Sequence, residues 1–588
     1  MIIRNRALAA VAVVGAVALT ASACGGSKGT GSSSDAAGKS SFNAAVTSIV
    51  NPSTKKGGTL QFWANQDVDS LDPTRSYYAF AWDLQRLYAR TLLTYPSQPG
   101  TAGLQLTPDL ASAMPTISNG GKTYTFKLRS GLKFSDGAAL TSKDVKYGIE
   151  RDFAQDVLPG GPVYLQQILD EGQKYPGPYK DTDPNKMGLK SVQTPDPQTI
   201  VFNLAAPNSD FEYYLAMGAS TPVEQAKDTG ANYQKAPLAT GPYMIQSYTP
   251  NQAIKFVRNP NWDQSTDPVR KALPDAINVT ITTNADDLDS RLLAGTADLD
   301  IGQVGVQTAA QAKILTNPQL KANTDDAPNG FIRYIAMDTK VAPFNNVHCR
   351  KAVEYAANPT DLQTARGGPT AGAIATNMLP PNILGHDNYD PYGLAAGKAQ
   401  VDKAKQELAL CGQPNGFSTT IAARNNKPKE VKTAEALQAS LKAVGINLTI
   451  DQYDGAQSSS VIGAPSVVHK KGYGLMVFGW GADYPTASGF LSMLVDGRQI
   501  LADGNNNLSE INDPQINSLI DKAAAETDPK AAAADYTQIN HMVMDQALYL
   551  PVVYDQALNY RNPRLTNVVF LQALGMIDFA SLGTSDGK

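Results

Sequence analysis

Thiol and imidazole are scarce in this chain: three cysteines and four histidines among 588 residues. The histidines are His348, His386, His469 and His541. None stands in an HExxH pattern, and no two are close enough in sequence to suggest a local metal site. No CxxC pair is present, which argues against zinc and redox motifs. A GxSxG nucleophile elbow and a Walker-type phosphate loop are also missing. Two SxxK matches, at Ser53–Lys56 and Ser130–Lys133, are only two residues deep and occur by chance in a chain this long. Neither is placed at a helix start. No catalytic residue, cofactor or metal is therefore expected. Fifty basic side chains stand against 54 acidic ones, a formal net charge of -4. Without a basic excess, nucleic acid is not an expected partner. No acidic or basic tail and no repeat of 20 to 50 residues is visible.

What is present is the composition of a soluble globular chain, 42% apolar and 18% charged, too long for one compact core. Its patterns alternate strand and helix. Thr123–Leu128 alternates and puts Tyr124, Phe126 and Leu128 on one strand face. Ser135-Asp136-Gly137 reads as a turn. Thr141 then reads as an N-cap with Asp144 three residues on, followed by Val145, Ile149 and Phe153 on one helix stripe. Ala285–Ala294 reads as a helix closed by Gly295, with a short strand at 297–301. Phe417–Ala422, Glu430–Val444 and the alternation of Ile446, Leu448 and Ile450 read as strand, helix, strand with a right-handed crossover between parallel strands. Gly474–Trp480 is apolar throughout, as a strand covered on both faces is. Asp513-Pro514 and Asp528-Pro529 each start a helix, and Leu550–Tyr554 is a last strand. The expected class is α/β with more than one sheet.

The first residues read differently. Arg4 and Arg6 precede an apolar run, Ala7 to Leu19, broken only by Gly15; Ala21, Ser22 and Ala23 lead into Cys24. Residues 1–23 are expected to be a secretory signal peptide, since the run is short for a membrane span. The stretch resembles a bacterial lipobox, with Ala21 where that pattern prefers Leu. The resemblance implies lipidation of Cys24. Residues 24–56, rich in Gly, Ser and Ala at their start, are expected to be a flexible tether. For an exported chain the remaining pair, Cys349 and Cys411, is expected to form a disulfide.

Longer motifs carry a family resemblance. They are Leu106–Ala111, then Gly121–Gly137 ending LKFSDG, then Thr141–Val145. Thr240–Tyr243, Val257–Trp262, Leu293–Gly295, Asp298–Ile301, Pro343–Val347, Gly479–Pro485 and Asn512–Pro514 follow in the same order. This succession resembles the solute-binding proteins of family 5, the oligopeptide-, dipeptide- and nickel-binding lipoproteins of ABC importers. The resemblance implies a two-lobed periplasmic-binding-protein-like fold whose hinge is two crossing segments. It implies a lobe I at 57–328 with a subdomain inserted at about 88–220, a lobe II at 329–551, and a return to lobe I at 552–588. It further implies capture of a peptide or another small molecule in the interlobe cleft, delivery to permease subunits, a monomer, and a place on the outer face of the cell membrane. An oligosaccharide or metal-chelate ligand, a peptide-sensing receptor, and an extracellular enzyme are the competing readings.

By position in the Gly481-Ala482-Asp483-Tyr484 motif, Asp483 matches the aspartate that holds a ligand's α-ammonium; the competing reading is a turn residue before Pro485. Tyr484 is carried as a ligand candidate with it. Trp480 either walls the pocket or sits in the core. Tyr77 and Tyr78 precede a helix near the cleft wall of the family, with ordinary packing or exposure as the competing reading.

Overall fold

The computed structural model describes residues 37–38 and 41–588, apart from 160, 283, 426 and 503. The expected signal segment and Cys24 lie outside the described residues. The tether expected as far as residue 56 needs correction. Ala44–Thr47 is a helical turn, Ala45 and Val50 are fully buried, and the Val50 amide donates to the Val568 carbonyl at 2.8 Å. Ala44, Ala45 and Val50 join the apolar core of the first lobe, and the Ala45 amide donates to Asp325 at 3.0 Å.

A five-stranded sheet runs in the order Tyr243–Thr249, Ala253–Arg258, Ala276–Ile281, Thr59–Ala64, Leu299–Asp300. Its core gathers residues from 44–89, 239–301 and 565–582. A four-stranded antiparallel sheet (Thr116–Ser118, Thr123–Lys127, Thr199–Asn203, Val192–Asp196) has its own core, drawn from 92–219 with Tyr484 and Leu571. A six-stranded sheet runs Gly372–Ile374, Tyr549–Tyr560, Thr324–Met337, Tyr473–Gly481, Ser418–Arg424, Asn447–Tyr453 over the largest core, from residue 332 to 554.

Local chemistry explains most boundaries. Thr141 and Asp144 form a capping box on Ser142–Arg151, and Val145, Ile149 and Phe153 are buried. Helix Ala285–Ala294 starts on the Asn284 side chain and ends at Gly295, whose φ of 76° suits glycine. Asp513 and Asp528 cap the helices Pro514–Ala525 and Pro529–Asp545. Ser418–Arg424 and Asn447–Tyr453 pair in parallel around the helix Pro428–Lys442, as the alternation predicts. Cys349, on helix Val347–Ala356, is bonded to Cys411 at the end of Val401–Leu410, with Cα atoms 5.2 Å apart.

Two strands join the lobes. Thr324–Met337 and Tyr549–Tyr560 pair antiparallel, and the register slips between Pro328 and Ile332. Ala327 lies in the first lobe's core and Ile332 in the second's. On the return strand, Val552, Val553 and Tyr554 still belong to the second core, whereas Leu558 and Tyr560 pack with first-lobe helices. The crossing back thus lies inside this strand, past 554 rather than at 552, because the apolar run continues through Tyr554. The chain is an α/β protein of two lobes hinged by two strands.

The first lobe is pinned by buried charge. Asp109 accepts from Arg90 Nε at 2.7 Å and from Arg270 Nη2 at 2.9 Å. Arg270 also reaches Asp267 at 3.2 Å. Burial by itself pushes the Asp267 carboxyl up, but Arg270 and Arg90 outweigh it and hold the group down at about 2.

Candidate functional site

Strand Tyr473–Gly481 is buried from Tyr473 to Val477 and only partly buried from Phe478 onward. There it leaves the core and faces the cleft. Glycine is needed at two positions: a Cβ on Gly479 meets the Arg333 side chain at 2.8 Å, and one on Gly481 meets the Phe331 ring at 2.5 Å. Both neighbours lie across the strand on the paired hinge strand.

Asp483 follows two residues later. Its Oδ2 accepts from the hydroxyls of Tyr77 at 2.6 Å and Tyr164 at 2.5 Å. Those donors lie 406 and 319 residues away, on the first lobe and its inserted subdomain. Burial, and then the Asp483 charge, push both phenols up, so they remain neutral donors at ordinary pH. Tyr164 stacks on Tyr214 with ring centres 5.0 Å apart, and Tyr77 meets Trp82 edge-on. Asp483 has no cationic partner among the described residues, and no hydrogen bond reaches its Oδ1. A carboxylate so placed carries an unmet demand for a cation.

A cavity of about 770 Å³ opens beside it. Tyr77, Tyr164, Tyr214, Phe331, Phe478, Trp480 and Tyr536 supply its aromatic walls. Its charged lining is Asp483 and Asp210, with no lysine, arginine or histidine among the described residues. Asp210 is buried and pushed up by that burial, against the pull of the Ser488 and Thr486 hydroxyls that donate to it. It ties the subdomain to the loop after Asp483.

Behind the Phe331 and Phe478 walls lies the opposite charge. Arg333 and Arg424 stack on those two rings, with the guanidinium 5.4 and 4.7 Å from the ring centres. Arg333 pairs with Asp555 and Arg424 with Glu430. Arg366 and Lys429 complete the group, and the Arg366 Nε is buried without a hydrogen-bond partner. Both are pushed down by burial first, with the neighbouring cations adding to it. Four cations stand with two carboxylates here.

The expected residues fare differently. Asp483, Trp480, Tyr484 and Tyr77 all line the cavity. Trp480 is both wall and packing: its Nε1 donates to the Gly489 carbonyl at 3.0 Å while its ring rests on the second core. Tyr484 is 5% exposed and sits among Tyr164, Tyr213 and Tyr214, as a support for the wall. Tyr78 is as exposed as Tyr77, precedes the helix Ala79–Tyr88 and lies against Phe80; unlike Tyr77 it is not part of the cavity lining. Tyr164, Tyr214, Phe331, Phe478 and the cationic group have no local sequence signal, because their partners lie far away in the chain.

The family model for the bacterial extracellular solute-binding proteins, family 5, matches residues 105–501. The chain belongs to this family. Its members are the solute-binding components of ABC importers, extracytoplasmic and without catalytic function. Among known sequences it is similar to heme-binding protein A of Haemophilus influenzae, 29% identical over 77% of this chain and 80% of that protein. It is also similar to the glutathione-binding protein GsiB of Escherichia coli K12, 25% identical over 77% of this chain and 81% of that one. Among solved structures it resembles clavulanic acid biosynthesis oligopeptide binding protein 2, with a TM-score of 0.86 and 44% identity over 93% of this chain and 99% of that one. Family 5 proteins bind small-molecule or peptide ligands and work with ABC permeases. Among the described residues no helix is long and apolar enough to cross a membrane.

Proposed function

We propose that this family 5 protein captures peptides, di- or oligopeptides, between its lobes and delivers them to an importer's permease. One observation carries the reading: Asp483 stands at an aromatic cavity, oriented by two tyrosine hydroxyls and lacking a paired cation among the described residues. A peptide's α-ammonium meets that demand through a charge-assisted bond. The cation-rich group behind Phe331 and Phe478 draws the opposite, carboxylate end. The aromatic walls take side chains with little demand for one sequence. The likeness to an oligopeptide-binding and a glutathione-binding protein supports the same class.

Binding works by differential affinity. A ligand bridging Asp483 on one lobe and the tyrosines on the other favours the closed arrangement. The bend is absorbed where the two hinge strands slip register, at 328–332. Cys24 serves as the lipidated anchor in this reading, and the body acts as a monomer.

The test is mass spectrometry of whatever the purified protein releases on denaturation, followed by calorimetry with the released species. Peptides of a narrow length range, bound again by the emptied protein, are expected. A sugar, a metal chelate or another single compound overturns the peptide reading and leaves the family intact. Peptide binding without loss of uptake in a deletion strain points to the sensing role instead.

A further inference from the structure

Three segments of the second lobe bring a carboxylate, an imidazole and a second carboxylate to one point, away from Asp483. Asp338 directly follows the strand Thr324–Met337, His469 lies in the last turn of the helix Pro465–Lys471, and Glu510 lies in the loop before Pro514–Ala525. The His469 Nε2 is 2.9 Å from Glu510 Oε1 and 4.0 Å from Asp338 Oδ2, and the three donor atoms all lie within 4.8 Å of one another.

The decisive detail is Asp338. Its side chain is fully buried. Its Oδ1 accepts from the Lys340 amide at 2.7 Å, which fixes the carboxylate plane. Its Oδ2 has no hydrogen-bond partner and faces the other two donors. A buried carboxylate oxygen left without a partner is costly. Glu510, also buried, adds a second negative charge. Neither lysine nor arginine is paired with either carboxylate among the described residues; His469 is their one ion partner.

We propose that Asp338, His469 and Glu510 form a binding site for one divalent ion of the zinc class. One imidazole and two carboxylates are zinc's usual donors, each about 2.0–2.2 Å from the ion. Such bonds set neighbouring donors about 3–4 Å apart, so the spacings of 2.9 and 4.0 Å need little adjustment. A hard ion such as calcium asks for six or more oxygens and is not favoured by the imidazole. The His469 ring is 43% exposed, which leaves the ion an entry path and a position for water.

The site holds a loop that matters. Asn506, four residues before Glu510, lines the cavity. Between them Asn507 ties the loop by accepting from the Ile511 amide at 3.2 Å and donating to the Ile511 carbonyl at 2.8 Å. An ion at Glu510 fastens the loop to the end of the hinge strand and so steadies one wall of the cleft. This inference does not depend on what the cleft binds.

The test uses the whole mature protein after chelation, titrated with zinc chloride by calorimetry and followed by thermal unfolding. One ion per chain and a raised midpoint are expected, with cobalt giving the visible absorption of a low-coordinate site. His469→Gln, at an exposed position, should fold with the midpoint of the chelated parent yet bind zinc more than about 100-fold more weakly. Asp338→Asn should do the same. Absence of zinc stabilisation overturns the site, as does equal binding by His469→Gln, or a response to calcium and not to zinc.

Discussion

Two aspartates in this protein, Asp109 and Asp483, show how one side chain serves opposite ends. Asp109 is fully buried and saturated: Arg90 and Arg270 both bond to it, and Asp267 helps balance their charge. Asp483 is half-buried and accepts only from two neutral hydroxyls. The first has nothing left to offer a ligand. The second is aimed but uncompensated. The difference lies in what surrounds each carboxylate: a structural charge arrives with its counter-ion in the chain, and a recognition charge waits for one from outside.

Removing each partner sharpens that contrast, and the largest effect belongs to the saturated site. Asp109→Ala leaves two buried guanidiniums to share Asp267 alone and is expected to destabilise the protein by about 3–5 kcal/mol, read from urea unfolding. A loss under about 1 kcal/mol breaks the comparison. Asp483→Asn leaves the unfolding midpoint unchanged and weakens peptide binding by about 2–5 kcal/mol, roughly 30-fold or more in Kd by calorimetry. Unchanged affinity removes Asp483 from recognition.

A third aspartate extends the series. Asp152 is buried with no cationic partner among the described residues, next to Arg151, whose charge is taken by Asp72 at 2.7 Å and Asp228 at 3.1 Å. Burial pushes the Asp152 carboxyl up to about 7. Folded protein therefore keeps this proton after unfolded chains, near 4, have lost it. Its contribution is most favourable below pH 4 and is lost as the pH rises to about 7. Asp267, held at about 2, has the opposite sign: its contribution is present above pH 4 and is lost as pH falls towards 2. Asp152→Asn should narrow the stability gap between pH 4.5 and 7.5 by an amount on the order of 2 kcal/mol. An unchanged gap denies the raised value. The smallest effect is expected from Tyr164→Phe, which removes one donor to Asp483 and costs about 0.5–1.5 kcal/mol of binding with no change in stability.

Legibility in the sequence followed the range of the interaction. The caps at Thr141, Asn284, Asp513 and Asp528 act over two or three residues, and Gly295 acts through its own backbone, so those helix ends stand where the residues put them. The parallel unit from 418 to 453 could be read from period and length. Asp483 and Trp480 could be named from a local motif. Tyr164 could not, because nothing in a six-residue helix at 164–169 shows that its hydroxyl meets a carboxylate 319 residues away. The same holds for Asp338, His469 and Glu510, which belong to three different segments. Residues 44–50 look like tether in the sequence, because a few small apolar side chains show their role only where a buried surface receives them.

By itself the sequence determined the elements, their ends, the family and the motif that carries Asp483, all products of neighbouring residues and short-range sterics. Only the tertiary structure decided which tyrosines turn to that aspartate, where the strands cross between lobes, and which buried carboxylates are answered by a cation, because each is settled by side chains hundreds of residues apart sharing one low-dielectric volume.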